Sequence, residues 1–321
     1  MLTLRWVGRR LLTGLVTLLG IALLVFFAAR LVPGQAASVL LGPLATQEQR
    51  DALTAELGLD RDLFTQFGIW MGQIVTGDFG DSIISGQPVL DEIALRLPVT
   101  ATVALLALGI ALLVGVPLGI LQAVRSRRRG GAVVSRMISG LGISVPEFVL
   151  GALVVLLFST VPLGITIGAF TAVTDDVWLG LVSSLLPALV LSVFCAAATA
   201  RTTRDAVLGV LVEPWIQAAV GRGERPWSIV RHHVLRNASI PILTLAATLL
   251  AYLLGGAVIV EGLFNVPGVG SYMLLAMDRR DYAVIQAAVM LAAVVFVVMS
   301  VLVELASSLV DPRVSTIGAT R

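Results

Sequence analysis

Both histidines of the 321-residue chain, His232 and His233, fall in one polar stretch, "EPWIQAAVGRGERPWSIVRHHVLRN" (Glu213 to Asn237), beside Arg222, Arg225, Arg231 and Arg236. Imidazoles titrate near neutral pH and bind metals, so the pair can be read as proton sites or ligands. Flanked by arginines in a wet loop, it can equally be read as part of an interface. Three acids, Glu147, Glu261 and Glu304, lie in or beside apolar runs, where an ionisable group is expensive and becomes a functional candidate. Glu147 follows Pro146, where a kinked helix can face a cavity, and Glu261 adjoins the glycines and proline of "NVPGVG". For each acid the alternative is structural hydrogen bonding, and for Glu304 that is the first reading.

Other chemistries are absent from the pattern. The single cysteine, Cys195, allows no intrachain disulfide, and no His/Cys cluster has metal-ligand spacing. "GDFGDS" (Gly77 to Ser82) gathers acids but lacks the ligand spacing of a calcium loop, so it reads as a turn. An intramembrane serine protease needs a histidine within the bilayer facing a serine, and neither histidine sits in an apolar run. No G-x-x-x-x-G-K-[ST] occurs, so no loop of the usual kind cradles ATP phosphates. Catalytic residues, metal and resident cofactors are all expected to be none.

The elements that position these residues are membrane helices. The composition is 57% hydrophobic and 13% charged, with a mean hydropathy of +0.97, and the 22 basic residues against 20 acids leave +2. So small a net charge offers no surface for nucleic acid. A span needs about 20 apolar residues. Six candidates follow: Leu11 to Ala29, Val99 to Val124, Met137 to Thr160, Val177 to Ala200, Ala238 to Val260 and Ala283 to Val303. The first also has the basic start and small residues of a signal peptide, but its apolar run is longer than usual for one.

Arginine distribution orients the spans. Residues 1 to 10 carry Arg5, Arg9 and Arg10, and the loop after the second span carries Arg125, Arg127, Arg128, Arg129 and Arg136, neither with an acid. Both are expected in the cytoplasm. The segment Val32 to Pro98 holds nine acids against Arg50, Arg61 and Arg96 and is expected outside, with two short helices, Thr46 capping the first, and then the "GDFGDS" turn. Six spans then return the C-terminus to the cytoplasm. The chain divides into 1–31, a tail and first span; 32–98, an extracytoplasmic helical segment; and 99–321, a core with a cytoplasmic loop at 205–237.

In that loop, Pro214 suits the first turn of a short helix, Gly221 and Gly223 suit its end, and Pro226 opens a second helix toward His233 and Leu235. "QAAVGRG" followed by "HVLRN" resembles the EAA loop of ABC-importer permeases, in the peptide/nickel branch. Gln217 stands in place of the family's Glu, Ala218, Ala219 and Gly223 are in register, and Val220 and Gly221 depart from the branch's Arg and Ala. "RLVPG", "LGLDRDL", "GDFGDS", "RLPVTATVAL", "SVPEFVLG", "ARTTR", "VEGLFNVPGVG", "RDYAVIQ" and "DPRV" resemble further family landmarks in the expected order, over nearly the whole chain. The long segment after the first span resembles the B-type subunit of the paired permeases.

The resemblance implies an all-α, six-helix permease of the type I ABC-importer kind in the bacterial plasma membrane, importing di- or oligopeptides. Nickel or haem-like cargo is the alternative, and a proton-coupled secondary transporter is the rival from another class; no internal repeat supports the latter. It implies a homologous C-type permease as heterodimer partner, two ABC ATPase subunits or domains that bind ATP and Mg, and an extracellular substrate-binding protein. Trp215, Gln217, Ala218, Ala219, Gly221, Arg222, Gly223 and His233 are the candidates for coupling to the ATPase. Ser144, Pro146, Glu147, Phe148, Glu261 and Asn265 are the candidates for lining the pathway.

Overall fold

Apolar residues at helical spacing, broken by glycine- and proline-bearing turns, fold into an all-helical chain among the described residues. A computed structural model describes residues 4–31, 41, 44–56, 58, 60–125, 137, 140–160, 168 and 170–310. The helices are α1 (Leu4–Leu31), α2 (Gln47–Glu56), α3 (Leu63–Thr76), α4 (Val89–Arg125), α5 (Glu147–Thr160), α6 (Val177–Leu211) and α7 (Pro214–Gly221). A single turn, Pro226–Ser228, runs through a π-helical stretch, Ile229–Val234, into α8 (Leu235–Gly256), which is followed by α9 (Val258–Leu263), α10 (Val269–Arg279) and α11 (Tyr282–Val310).

Among the described residues, five helices are long and apolar enough to cross a membrane: Gly8–Leu31 of α1, α4, α6, Leu235–Gly255 of α8 and Tyr282–Leu302 of α11. The third expected span is present but interrupted. Pro146 separates a helical run at residues 140–144 from α5, which has 14 residues. At 1.5 Å per residue α5 reaches about 21 Å, short of a hydrocarbon core of about 30 Å. The fifth span is also shorter than expected, ending at Gly256 before a separate α9.

Two helices overrun the boundaries set by charge. α4 begins at Val89 rather than Val99, carrying Pro98 inside it and an Arg96–Glu92 ion pair on its first turns. α6 continues past Arg201 and Arg204 to Leu211. Charged residues mark where the bilayer ends, and an α-helix in water needs no such stop.

α4 and α6 form the packed centre. Ala107, Ala111, Gly115 and Gly119 recur every four residues on one, facing Cys195, Thr199, Thr203 and Val207 on the other, all buried. A Cβ at Gly119 would lie 2.5 Å from the Ala200 carbonyl oxygen and from Thr203 Cβ; one at Gly115 would lie 2.7 Å from the Ala196 oxygen and Thr199 Cβ. Small residues let the two backbones touch, which is how membrane helices gain packing where apolar burial drives nothing.

The expected helices of the long first connection are present. Thr46 accepts from the Gln49 amide at 3.3 Å while Gln49 Oε1 accepts from the Thr46 amide at 3.0 Å, a reciprocal cap on α2. Asp62 caps α3 by accepting from the Phe64 and Thr65 amides and the Thr65 hydroxyl. α3 then packs on α1 through Phe26, Phe67 and Trp70, with ring centroids 5.3 to 6.1 Å apart.

Candidate functional site: a seated surface helix and a buried carboxylate

α7 forms where sequence reasoning placed a helix. Pro214 has no amide to lose at its first position, and the chain leaves through Gly223 at φ +79°, a conformation open to glycine and strained for other residues. Gly221 closes the helix with ordinary helical backbone and open space around it, so only Gly223 supplies the turn.

The helix is amphipathic in a specific way. Ile216 and Ala219, three apart, are buried with Ala123 of α4, Val207 of α6, Ile229 and Val234 of the π-helical stretch, and Ala238 and Ile242 of α8. Trp215, Gln217, Ala218, Val220, Gly221 and Arg222 face outward. Ala219 therefore anchors the helix to its own chain, whereas Ala218 is open to a partner. Arg222 pairs with Glu224 at 2.9 Å, and His232 Nδ1 donates to the Ser228 carbonyl at 3.2 Å, which keeps that imidazole on its own turn. The side chains of His233 and Glu304 lie outside the described residues.

The pathway candidates sit in different surroundings. Glu261 is fully buried: Oε1 accepts from the Thr100 hydroxyl at 2.7 Å and Oε2 from the Ser271 amide at 3.0 Å. Thr100 in turn accepts from the Val269 amide at 2.9 Å, so one threonine and one glutamate tie α4, α9 and the start of α10 together. Burial pushes the Glu261 carboxyl above its usual range, and the donors from Thr100, Ser271 and Gly270 pull the other way. The glycines of "NVPGVG" make room for it. A Cβ at Gly268 would lie 2.3 Å from Oε2, and one at Gly270 would lie 2.7 Å from the Val258 Cα. A cavity of about 210 Å³, mostly apolar, adjoins this carboxylate between α4, α8, α10 and α11.

Glu147 is half-buried at the start of α5 and accepts from the Tyr252 hydroxyl of α8 at 3.2 Å. Ser144, Pro146 and Phe148 beside it are exposed, and Ser144 donates to the Gly140 carbonyl at 2.7 Å. Asn265 is exposed, with φ +52° in the turn after α9.

Sequence reasoning missed a second fully buried acid. Asp281, with no exposed surface, accepts from the Ser82 hydroxyl at 2.7 Å. "RDYAVIQ" and "GDFGDS" both contain the signal, but 199 residues separate the partners. Arg96 stacks over the neighbouring Tyr272 ring, 4.5 Å from its centroid.

Family models place this arrangement. Residues 115–316 match the binding-protein-dependent transport system inner membrane component, and residues 3–104 match the N-terminal membrane component of such systems. The chain belongs to this family of ABC transporter permeases. It is 35% identical over 312 residues to a probable peptide ABC transporter permease, y4tP of Sinorhizobium fredii, covering 96% of this chain and 98% of that one. It is 35% identical over 311 residues to the glutathione transport system permease GsiC of Escherichia coli K12, covering 97% and 99%.

Among solved structures, a chain of the inward-facing MetNI methionine ABC transporter superposes with a TM-score of 0.54 at 19% identity. That match covers 68% of this chain and 96% of that one. The fold is thus that of a type I importer permease. A permease of a binding-protein-dependent system works with an ATPase and a binding protein, and this one is a multi-pass membrane subunit.

Proposed function

We propose that this permease forms half of the translocation pathway for di- or oligopeptides and that α7 is the element through which ATP hydrolysis in separate subunits drives it. The observation that carries the coupling reading is the two-sided α7: Ile216 and Ala219 seat it on three spans, while Trp215, Gln217, Ala218 and Arg222 remain outside. A helix fixed to the ends of α4, α6 and α8 moves them when it is itself moved. ATP then biases one arrangement of the ATPases, and the docked helix passes that bias to the spans.

The resemblance and the names of the relatives support peptide cargo over nickel or haem-like cargo. The partners in this reading are a homologous C-type permease, two ABC ATPase subunits or domains holding ATP and Mg, and an extracellular binding protein. Both termini lie in the cytoplasm, following the arginine distribution. No catalytic role is assigned to this chain.

The test is the reconstituted complex. Peptide-loaded binding protein is expected to stimulate ATP hydrolysis and peptide uptake, and Ala218→Cys is expected to cross-link to a cysteine in the ATPase groove. Uptake by this chain alone, or stimulation by nickel complexes and not by peptides, would overturn the reading.

A further inference from the structure

We infer that a basic cavity between the end of α1 and α3 binds the phosphate of an anionic membrane lipid. The cavity holds about 260 Å³ and is lined by Arg30, Arg61, Gln66, Ile69, Trp70 and Gln73, with no carboxylate among the described residues of its wall. Arg30 is built in. Its Nε donates to Gln66 Oε1 at 2.9 Å, Gln66 Nε2 donates to the Arg61 carbonyl at 2.8 Å, and the guanidinium lies over the Phe26 ring, 4.6 Å from its centroid. The two terminal nitrogens of Arg30 have no acceptor among the described residues. A guanidinium fork held in this way suits a phosphate bidentately.

The surroundings favour a lipid over a solute. Arg30 stands in the last turn of α1, whose Leu15, Val16 and Leu24 are exposed on the lipid-facing side, so the cavity lies at the bilayer surface where headgroup phosphates are. Trp70 lines the cavity there, as aromatic residues do at the interface. On another face of α3, Phe64, Gly68, Met71 and Val75 make an apolar stripe, with Phe64 84% and Val75 79% exposed. The bilayer interface covers such a stripe and holds α3 at the level of the headgroups. This inference rests on the membrane topology alone and not on the coupling role of α7.

The test uses the purified importer complex in nanodiscs of phosphatidylcholine doped with phosphatidylglycerol, with retained lipids counted by native mass spectrometry. Arg61→Gln, at an exposed position, and Arg30→Gln are compared with the unmodified protein at equal complex assembly. Each variant is expected to lower phosphatidylglycerol retention about tenfold, the loss of one charge-assisted hydrogen bond. Inorganic phosphate at millimolar concentration is expected not to displace the lipid. Unchanged retention in Arg61→Gln would overturn the site, and displacement by inorganic phosphate would overturn the lipid assignment.

Discussion

The Glu261 carboxylate fills the space where a side chain at Gly268 would begin, 2.3 Å from the Cβ that alanine would add. The atom in the way is a buried carboxylate oxygen held within a network of donors from two elements, so it cannot swing aside as an exposed side chain would. Gly268→Ala is expected to lower the melting temperature of the detergent-purified complex sharply, through a cost of several kcal/mol from overpacking and lost hydrogen bonds, about 1–3 kcal/mol for each. Gly109→Ala, on α4 with nothing within 4 Å, is the control and is expected to be neutral or slightly stabilising.

Glu261→Gln keeps the shape but replaces one acceptor oxygen by a donor where every observed partner donates. Thr100 or the Ser271 amide then faces an N–H, at a cost of about 1–3 kcal/mol. Thermal unfolding of the variant complex checks this, and an unchanged midpoint would show that the network does not hold α9 to α4.

The close contact of α4 and α6 gives a second steric prediction. Gly119→Leu forces the helices apart at Ala200 and Thr203, and the protein is expected to be lost from the membrane fraction or to fail to assemble. Leu113→Ala on the exposed side of α4 is expected to leave assembly intact.

α7 separates two neighbouring alanines by function. Ala218→Trp, on the outward face, is expected to abolish binding-protein-stimulated ATP hydrolysis with insertion and stability unchanged. Ala219→Trp is expected to destabilise the seating of α7 on α4, α6 and α8, by about 1–3 kcal/mol or more, because its Cβ is packed within the chain. Gly223→Val strains the turn at φ +79° by about 1–2 kcal/mol and is expected to uncouple hydrolysis from uptake. Equal effects of the two tryptophans on melting and on hydrolysis would remove α7 from the coupling role.

The Asp62 cap carries a pH dependence. The Thr65 hydroxyl, with the Thr65 and Phe64 amides, holds the carboxyl below its usual range. Its contribution to α3 is therefore fully present above the ordinary aspartate value of about 4 and is lost as pH falls through the depressed value. Amide exchange in residues 63–76, corrected for intrinsic rates, is expected to accelerate over that window, and Asp62→Asn to remove the dependence.

Much of this structure is legible in the sequence because local rules decide it. Pro214, the Thr46 cap and the apolar runs each act within a few residues. What escaped has a physical reason in each case. Arg96 and Arg204 bound the apolar runs, but the helices continue past them. Pro146 interrupts the third span, whereas Pro98 lies within a continuous α4. The facing of Ala219 and the meeting of Ser82 with Asp281 depend on contacts between distant segments, which periodicity does not encode.

The Ser82 hydrogen bond to Asp281 also orders the protein's assembly. Ser82 is synthesised well before Asp281, and the intervening chain contains four of the six apolar helices. Until Asp281 is made, the Ser82 hydroxyl in the turn before α4 lacks this acceptor. The segment before α4 can form its own helices early, but this attachment waits for Asp281. A chain truncated before Asp281 is therefore expected to leave the turn before α4 unlatched.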